Sequence, residues 1–150
     1  MKKDVRLLIK GTHISFNNVE NDNEQFENID EIFTETTGIY NVKDGKHYIR
    51  YEEKSEDGMQ TSRNLLKIDG ENVELIKKGY GATHLYFTEG ETNYTYYQTV
   101  MGKLFVGVNS KKIVIEESEE EIAVRIEYEL IMNEEKVSDS IIEVKIRTLF

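Results

Sequence analysis

Nine consecutive residues, Ile122 to Leu130, alternate with a period of two. Ile122, Val124, Ile126, Tyr128 and Leu130 fall on one side, and Arg125, Glu127 and Glu129 on the other. A strand sends successive side chains to opposite faces, so this segment is a strand with one dry and one wet face. The pattern returns near the end, where Ile142, Val144 and Ile146 alternate with Glu143, Lys145 and Arg147. It is present at the start as well: Val5, Leu7 and Ile9 alternate with Arg6 and Lys10, with Leu8 as the exception. Both ends therefore read as strands tied into a sheet.

Turn signals recur between these ends. Asp44-Gly45 separates Ile39–Val42 from His47–Tyr51, and Asp69-Gly70 separates Leu65–Ile68 from Val73–Ile76. Both dipeptides suit two-residue hairpin turns, which need positive φ. Gly58, Gly79-Tyr80-Gly81, Glu89-Gly90, Met101-Gly102 and Asn133-Glu134 punctuate the rest. The spacing predicts an all-β chain of roughly eight to ten strands. The absence of proline agrees, because proline cannot donate to a central ladder. A meander of one-sided strands must bury one continuous face, and closing into a barrel also removes exposed edges. The expectation is a single antiparallel barrel domain over residues 1–150. One segment departs from the pattern. Phe26, Ile29 and Phe33 are spaced like a helical face, and Asp22 or Asn23 could cap it, while the sequence downstream is β-rich. A polar loop near residues 18–28 is expected here, with room for one helical turn before the next strand.

A chain of 150 residues is long enough for one core without staples. It has no cysteine, which removes disulfides, Cys-zinc sites and thiol nucleophiles together. The apolar run Leu7–Ile9 is far shorter than the ~7–15 residues of a signal-peptide core, and no stretch approaches the ~18 apolar residues of a membrane helix. A cytoplasmic protein is expected. The net charge of −10 and the scattered pairs Lys2-Lys3, Lys77-Lys78 and Lys111-Lys112 speak against gripping nucleic acid or an anionic membrane.

Several segments carry a family resemblance in order along the chain. They are Gly38-Ile39-Tyr40-Asn41-Val42-Lys43-Asp44-Gly45 followed by Tyr48-Ile49-Arg50-Tyr51-Glu52-Glu53, then Leu75-Ile76-Lys77-Lys78-Gly79, Tyr97-Gln98-Thr99-Val100-Met101-Gly102-Lys103-Leu104 and Tyr128-Glu129-Leu130. Together they resemble the YwiB-like family of uncharacterised bacterial proteins, from about Val5 to Ile146. The resemblance implies a lipocalin-like, calycin-type β-barrel and brings no activity with it. Two departures stand out: Lys77-Lys78-Gly79 lies where the family commonly has arginine before the glycine, and Val100-Met101 replaces a frequent Pro-aromatic pair. No anion-binding or turn-specific role is carried over to those points.

Catalytic signatures are sparse. His13, His47 and His84 share no metal-ligand spacing, so solvent-facing or core-satisfied histidines are the expectation. There is no Gly-x-Ser-x-Gly elbow and no Walker-type phosphate loop. The acidic run Glu116–Glu121 reads as a solvated hairpin tip. Glu53 shares parity with His47, Ile49 and Tyr51, so it either points into the barrel beside Tyr51 or lies beyond the rim in water, the rim being favoured. Tyr80, Tyr86, Tyr94, Tyr96 and Tyr97 crowd one half of the chain. Tyr94 and Tyr96 share one face and Tyr97 and Thr99 the other, with the inner face left open.

Three functions are compatible. The favoured one is non-catalytic binding of a small apolar or amphipathic molecule in a hollow barrel, with His47, Tyr51, Glu53, Tyr97 and Thr99 as lining residues. The alternative is a protein-interaction or assembly module working through an exposed tyrosine patch or a sheet edge. An enzyme using Glu53 with a tyrosine or His47 comes third. No catalytic residue, cofactor or metal ligand is assigned, and the oligomeric state is left open.

Overall fold

The structure is a computed structural model that describes residues 2–19, 24–55, 57–79, 81–99 and 101–149. Its strands are β1 (Lys3–Val19), β2 (Glu24–Lys43), β3 (Lys46–Lys54), β4 (Thr61–Asp69), β5 (Asn72–Gly79), β6 (Thr83–Phe87), β7 (Thr92–Thr99), β8 (Gly102–Glu117), β9 (Glu121–Met132) and β10 (Glu135–Thr148). All ten belong to one antiparallel sheet in the order β6-β5-β4-β3-β2-β1-β10-β9-β8-β7. No helix among the described residues is long and apolar enough to cross a membrane.

The first and last strands pair from Val5↔Thr148 to Ile14↔Asp139, which joins the two halves of the meander. The seam therefore falls between β6 and β7, which are neighbours in sequence. There the Gln98 N–H donates to the Ala82 carbonyl at 2.9 Å, the Thr83 hydroxyl reaches the Tyr96 carbonyl at 3.4 Å, and the Asn93 amide reaches the Tyr86 carbonyl at 3.3 Å. These links make a nearly closed, lipocalin-like barrel of ten strands, as the alternation and the turn spacing led one to expect.

The inward faces supply the core. Val5, Leu7, Ile49, Leu66, Ile68, Val73, Leu75 and Phe87 meet Val108, Ile122, Val124, Ile126, Val144 and Ile146 across the interior, all buried. Phe87 lies edge-on to Tyr128 with ring centroids 5.3 Å apart. A bulge between Ser110 and Lys112 shifts the parity of β8, so that Val106, Val108 and Ser110 and then Ile113 and Ile115 oppose inward partners on β9.

The turns follow their local chemistry. Asp44 and Gly45 take φ of 54° and 76° between the paired Lys43 and Lys46, the primed geometry that matches strand twist. The next hairpin is offset by one residue from its sequence reading. Asp69 pairs with Asn72, so Gly70 and Glu71 make the turn and of these Gly70 takes positive φ.

The reading of residues 18–33 needs correction. β1 and β2 stay paired as far as Val19↔Glu24, and β2 is continuous from Glu24 to Lys43. Neither a loop over residues 24–28 nor a helical turn is present there, while the caps considered at Asp22 and Asn23 lie outside the described residues. Ile29 and Phe33 share a face because four residues is an even strand spacing as well as a helical turn.

Candidate functional site

Directly opposed residues of an antiparallel sheet point to the same side, so the register sorts the barrel lining into rows. One row is apolar: Ile49↔Leu66↔Leu75↔Leu85. The row above it, away from the Asp44-Gly45 turn, is polar: Tyr51↔Asn64↔Lys77↔Thr83. Above that lies Glu53↔Ser62↔Gly79. The lining thus changes from hydrocarbon to hydrogen-bonding groups within two residues along each strand.

Asn64 is 3% exposed and Ser62 is 1% exposed. Among the described residues the Ser62 hydroxyl has no hydrogen-bond partner, and the Asn64 amide makes no bond of good geometry, although the Tyr51 hydroxyl lies close enough to interact with it. Such groups are rare in folded proteins, since each forfeits about 1–3 kcal/mol of lost solvation. Beside them the Lys77 ammonium donates to a Glu53 carboxylate oxygen at 3.5 Å, with both side chains mostly buried. Burial pushes the Tyr51 hydroxyl pKa well above its usual range, the Glu53 charge adds to this, and the neighbouring Asn64 amide works against it. Tyr51 therefore remains a neutral donor and acceptor at the edge of the apolar belt.

A second polar row crosses the other half of the barrel: His13↔Ser140↔Tyr128↔Ser110. His13 Nδ1 and the Ser140 hydroxyl are 2.8 Å apart, and the Ser138 and Ser140 hydroxyls 3.0 Å. Burial raises the Tyr128 pKa, against a bond to Ser140. The fully buried Ser110 hydroxyl has no partner among the described residues.

The opposite end of the barrel holds His47. Its Nδ1 lies 2.5 Å from the Tyr40 hydroxyl and its Nε2 lies 3.5 Å from a Glu117 carboxylate oxygen. Burial raises the Tyr40 pKa, and the Glu117 charge raises it further. A cleft of about 200 Å³ opens here between Val5, Ile122 and Ile146 and the acidic turn Glu117–Glu121.

The candidates from sequence thus separate. Tyr51 and Glu53 come together, and Glu53 is drawn inward by Lys77 rather than lying free at the rim. His47 sits six residues away along β3, about 20 Å at strand spacing, and serves the other end. Tyr97 faces inward over the seam, its hydroxyl 2.6 Å from where a Cβ on Gly81 would lie. Thr99 opposes Gly102 at the end of β7, and its side chain is outside the described residues, as is Tyr80. Tyr94 and Tyr96 are on the outside, where Tyr94 stacks on Phe105 at 5.2 Å and Tyr96 tilts against the same ring at 5.5 Å. Among the described residues no cluster of three or more His, Asp or Glu is placed to hold a metal ion. Ser62 and Asn64 were not singled out from sequence, and Lys77 was noted there only within the Lys77-Lys78 pair and the Lys77-Lys78-Gly79 departure. The signal was present in β4, where Ser62, Asn64, Leu66 and Ile68 share one parity.

The barrel is similar to the crystal structure of the YwiB protein from Bacillus subtilis. The TM-score is 0.78 at 21% sequence identity, with 99% of this chain and 94% of that chain covered. No curated protein matches this chain. The model of the domain-of-unknown-function family DUF1934 matches residues 14–144, and with that span of the barrel accounted for, the chain belongs to this family.

Proposed function

We propose that this protein binds a small, amphipathic, hydrogen-bonding molecule at the polar end of its barrel, without transforming it. The observation that carries this reading is the buried amide of Asn64, which makes no well-formed hydrogen bond among the described residues, with the unpartnered Ser62 hydroxyl beside it. A ligand that meets these groups recovers solvation that folding forfeits. The belt Ile49, Leu66 and Leu75 lies directly below, all buried, so a polar head at Asn64 would rest against hydrocarbon. The same belt leaves the middle of the barrel occupied by Ile49, Val124 and Ile126, so the hollow central lumen expected of an apolar-ligand carrier gives way to binding at an end. Lys77 and Glu53 add one charge of each sign. The enzyme reading loses its histidine base, because His47 lies at the far end.

The test is native mass spectrometry of the protein purified from its own cells, beside the Asn64→Leu variant. A retained small molecule in the wild type that is lost from the folded variant supports the reading. Wild-type protein without a bound molecule, whose Asn64 amide proves to be bonded to fixed waters in a crystal, overturns it.

A further inference from the structure

β3 pairs with β2 through Gly38–Lys43 alone. Above the pair Gly38↔Tyr51, β2 continues for another fourteen residues, Glu24 to Thr37, with β1 on one side and no strand on the other among the described residues. From Ile29 to Thr37 this edge is no loose hairpin, because the β1 residues behind it, Arg6 to Ile14, are themselves paired with β10. Alternate residues of such an edge direct N–H and C=O groups away from β1, where no strand among the described residues receives them.

Edge strands are usually kept short or studded with lysine, which discourages pairing. This edge is long, and its apolar side chains are exposed: Phe33 at 72%, Ile29 at 60% and Ile32 at 56%. Leu8, the residue that breaks the alternation of the first strand, opposes Glu35 on the outer face next to the Lys10↔Phe33 pair, and Ile14 opposes Ile29. The outer face therefore carries two apolar patches, Leu8 with Phe33 and Ile14 with Ile29, separated by the Thr12↔Glu31 pair. The charges along β2 are all acidic between Asn28 and Thr37. Glu35 is neutralised by Arg6, whereas Asp30 and Glu31 have no ion-pair partner among the described residues.

We infer that the Asn28–Thr37 edge of β2 is a docking strand for an extended, basic segment of another protein, one that alternates cationic and apolar residues. Main-chain bonds along the open edge would supply affinity, and side-chain pairing would supply selectivity. Asp30 lies on the other face of β2 from Ile29 and Phe33, so the cationic face of such a segment meets Asp30 while its apolar face covers Ile29 and Phe33, and its positive charge as a whole offsets Glu31. A second copy of this chain is the poorer occupant, since it brings acidic side chains to an acidic edge and carries the same net charge of −10.

The test is amide hydrogen exchange of the full chain with an acetylated ten-residue peptide alternating lysine and valine, compared with one alternating glutamate and valine. The lysine peptide is expected to slow exchange at alternate amides within Asn28–Thr37, with binding that weakens as salt rises. The double variant Asp30→Lys, Glu31→Lys should bind it about tenfold more weakly, and the neutral pair Asp30→Asn, Glu31→Gln should fall between. Circular dichroism confirms that each variant keeps its strands, which exposure of both side chains leads one to expect. Equal protection by both peptides, or none by either, overturns the inference. So does protection that grows with protein concentration in the absence of peptide, which would make a second copy the occupant.

Discussion

Ser110 isolates what an unmet polar group does to this fold. It is fully buried, its main chain is bonded to Gly90 and Glu91, and its hydroxyl has no partner among the described residues. Ser110→Ala removes the orphan with little loss of packing, so the variant should be about 1 kcal/mol more stable, read as a higher urea midpoint. Unchanged or lowered stability would mean that the hydroxyl is bonded in solution. Tyr51 and Tyr128 give the interior a pH dependence. Both are buried with raised pKa values, so the folded chain keeps protons that the unfolded chain releases above about pH 10. Stability is therefore complete below that pH and falls as pH rises beyond it, by about 1.4 kcal/mol per pH unit for each tyrosine that remains protonated. Urea unfolding between pH 9 and 12 should show this decline, and Tyr51→Phe should make it shallower. An equal slope in the variant would remove Tyr51 from the account.

At the scale of elements, the turn between β9 and β10 shows where local chemistry is overruled. Asn133 and Glu134 take φ of 50° and 70° between the paired Met132 and Glu135. Asparagine accepts that region readily, but for glutamate it carries a steric penalty from Cβ. Glu134→Gly should stabilise the protein by about 1 kcal/mol in thermal or urea unfolding, and a loss would show that the Glu134 side chain is needed there. Strands of this kind were legible from residues alone where one face is dry, as in Ile122–Leu130 and Ile142–Ile146. The β1–β2 arm was misread because period-two evidence requires a buried face, and beyond Gly38 β2 has none to offer. The site was half legible for a related reason. Parity along β3 put Tyr51 and Glu53 together, but only the register with β4 and β5 adds Asn64 and Lys77. Parity likewise grouped His47 with Glu53, because it records which face a side chain takes and says nothing of its height along the barrel.

For the whole molecule, closure decides where the barrel is weakest. The ends of the chain are secured by pairing from Val5↔Thr148 to Ile14↔Asp139, and each of those strands has a second partner on its other side. Among the described residues β6 and β7 share no such ladder. Their junction rests on the Gln98–Ala82 main-chain bond and on side chains reaching across from Thr83 and Asn93. Amides whose hydrogen bonds open with little loss of packing exchange fastest. Of the two closures, hydrogen exchange should therefore be faster along the facing edges of β6 and β7 than in the segments of β1 and β10 that pair with each other. Comparable protection at the two places would mean that the seam is zipped in solution. The seam also borders the proposed site, because Thr83 ends the Tyr51–Asn64–Lys77 row and Tyr97 faces inward just across it. A molecule seated on Asn64 would lie against the less firmly held wall of the barrel. Exchange along β6 should then be slower in protein that retains its ligand than in protein stripped of it, while the β1–β10 ladder stays unchanged. Slowing at both places alike would instead indicate a general stabilisation, with no preference for the polar row.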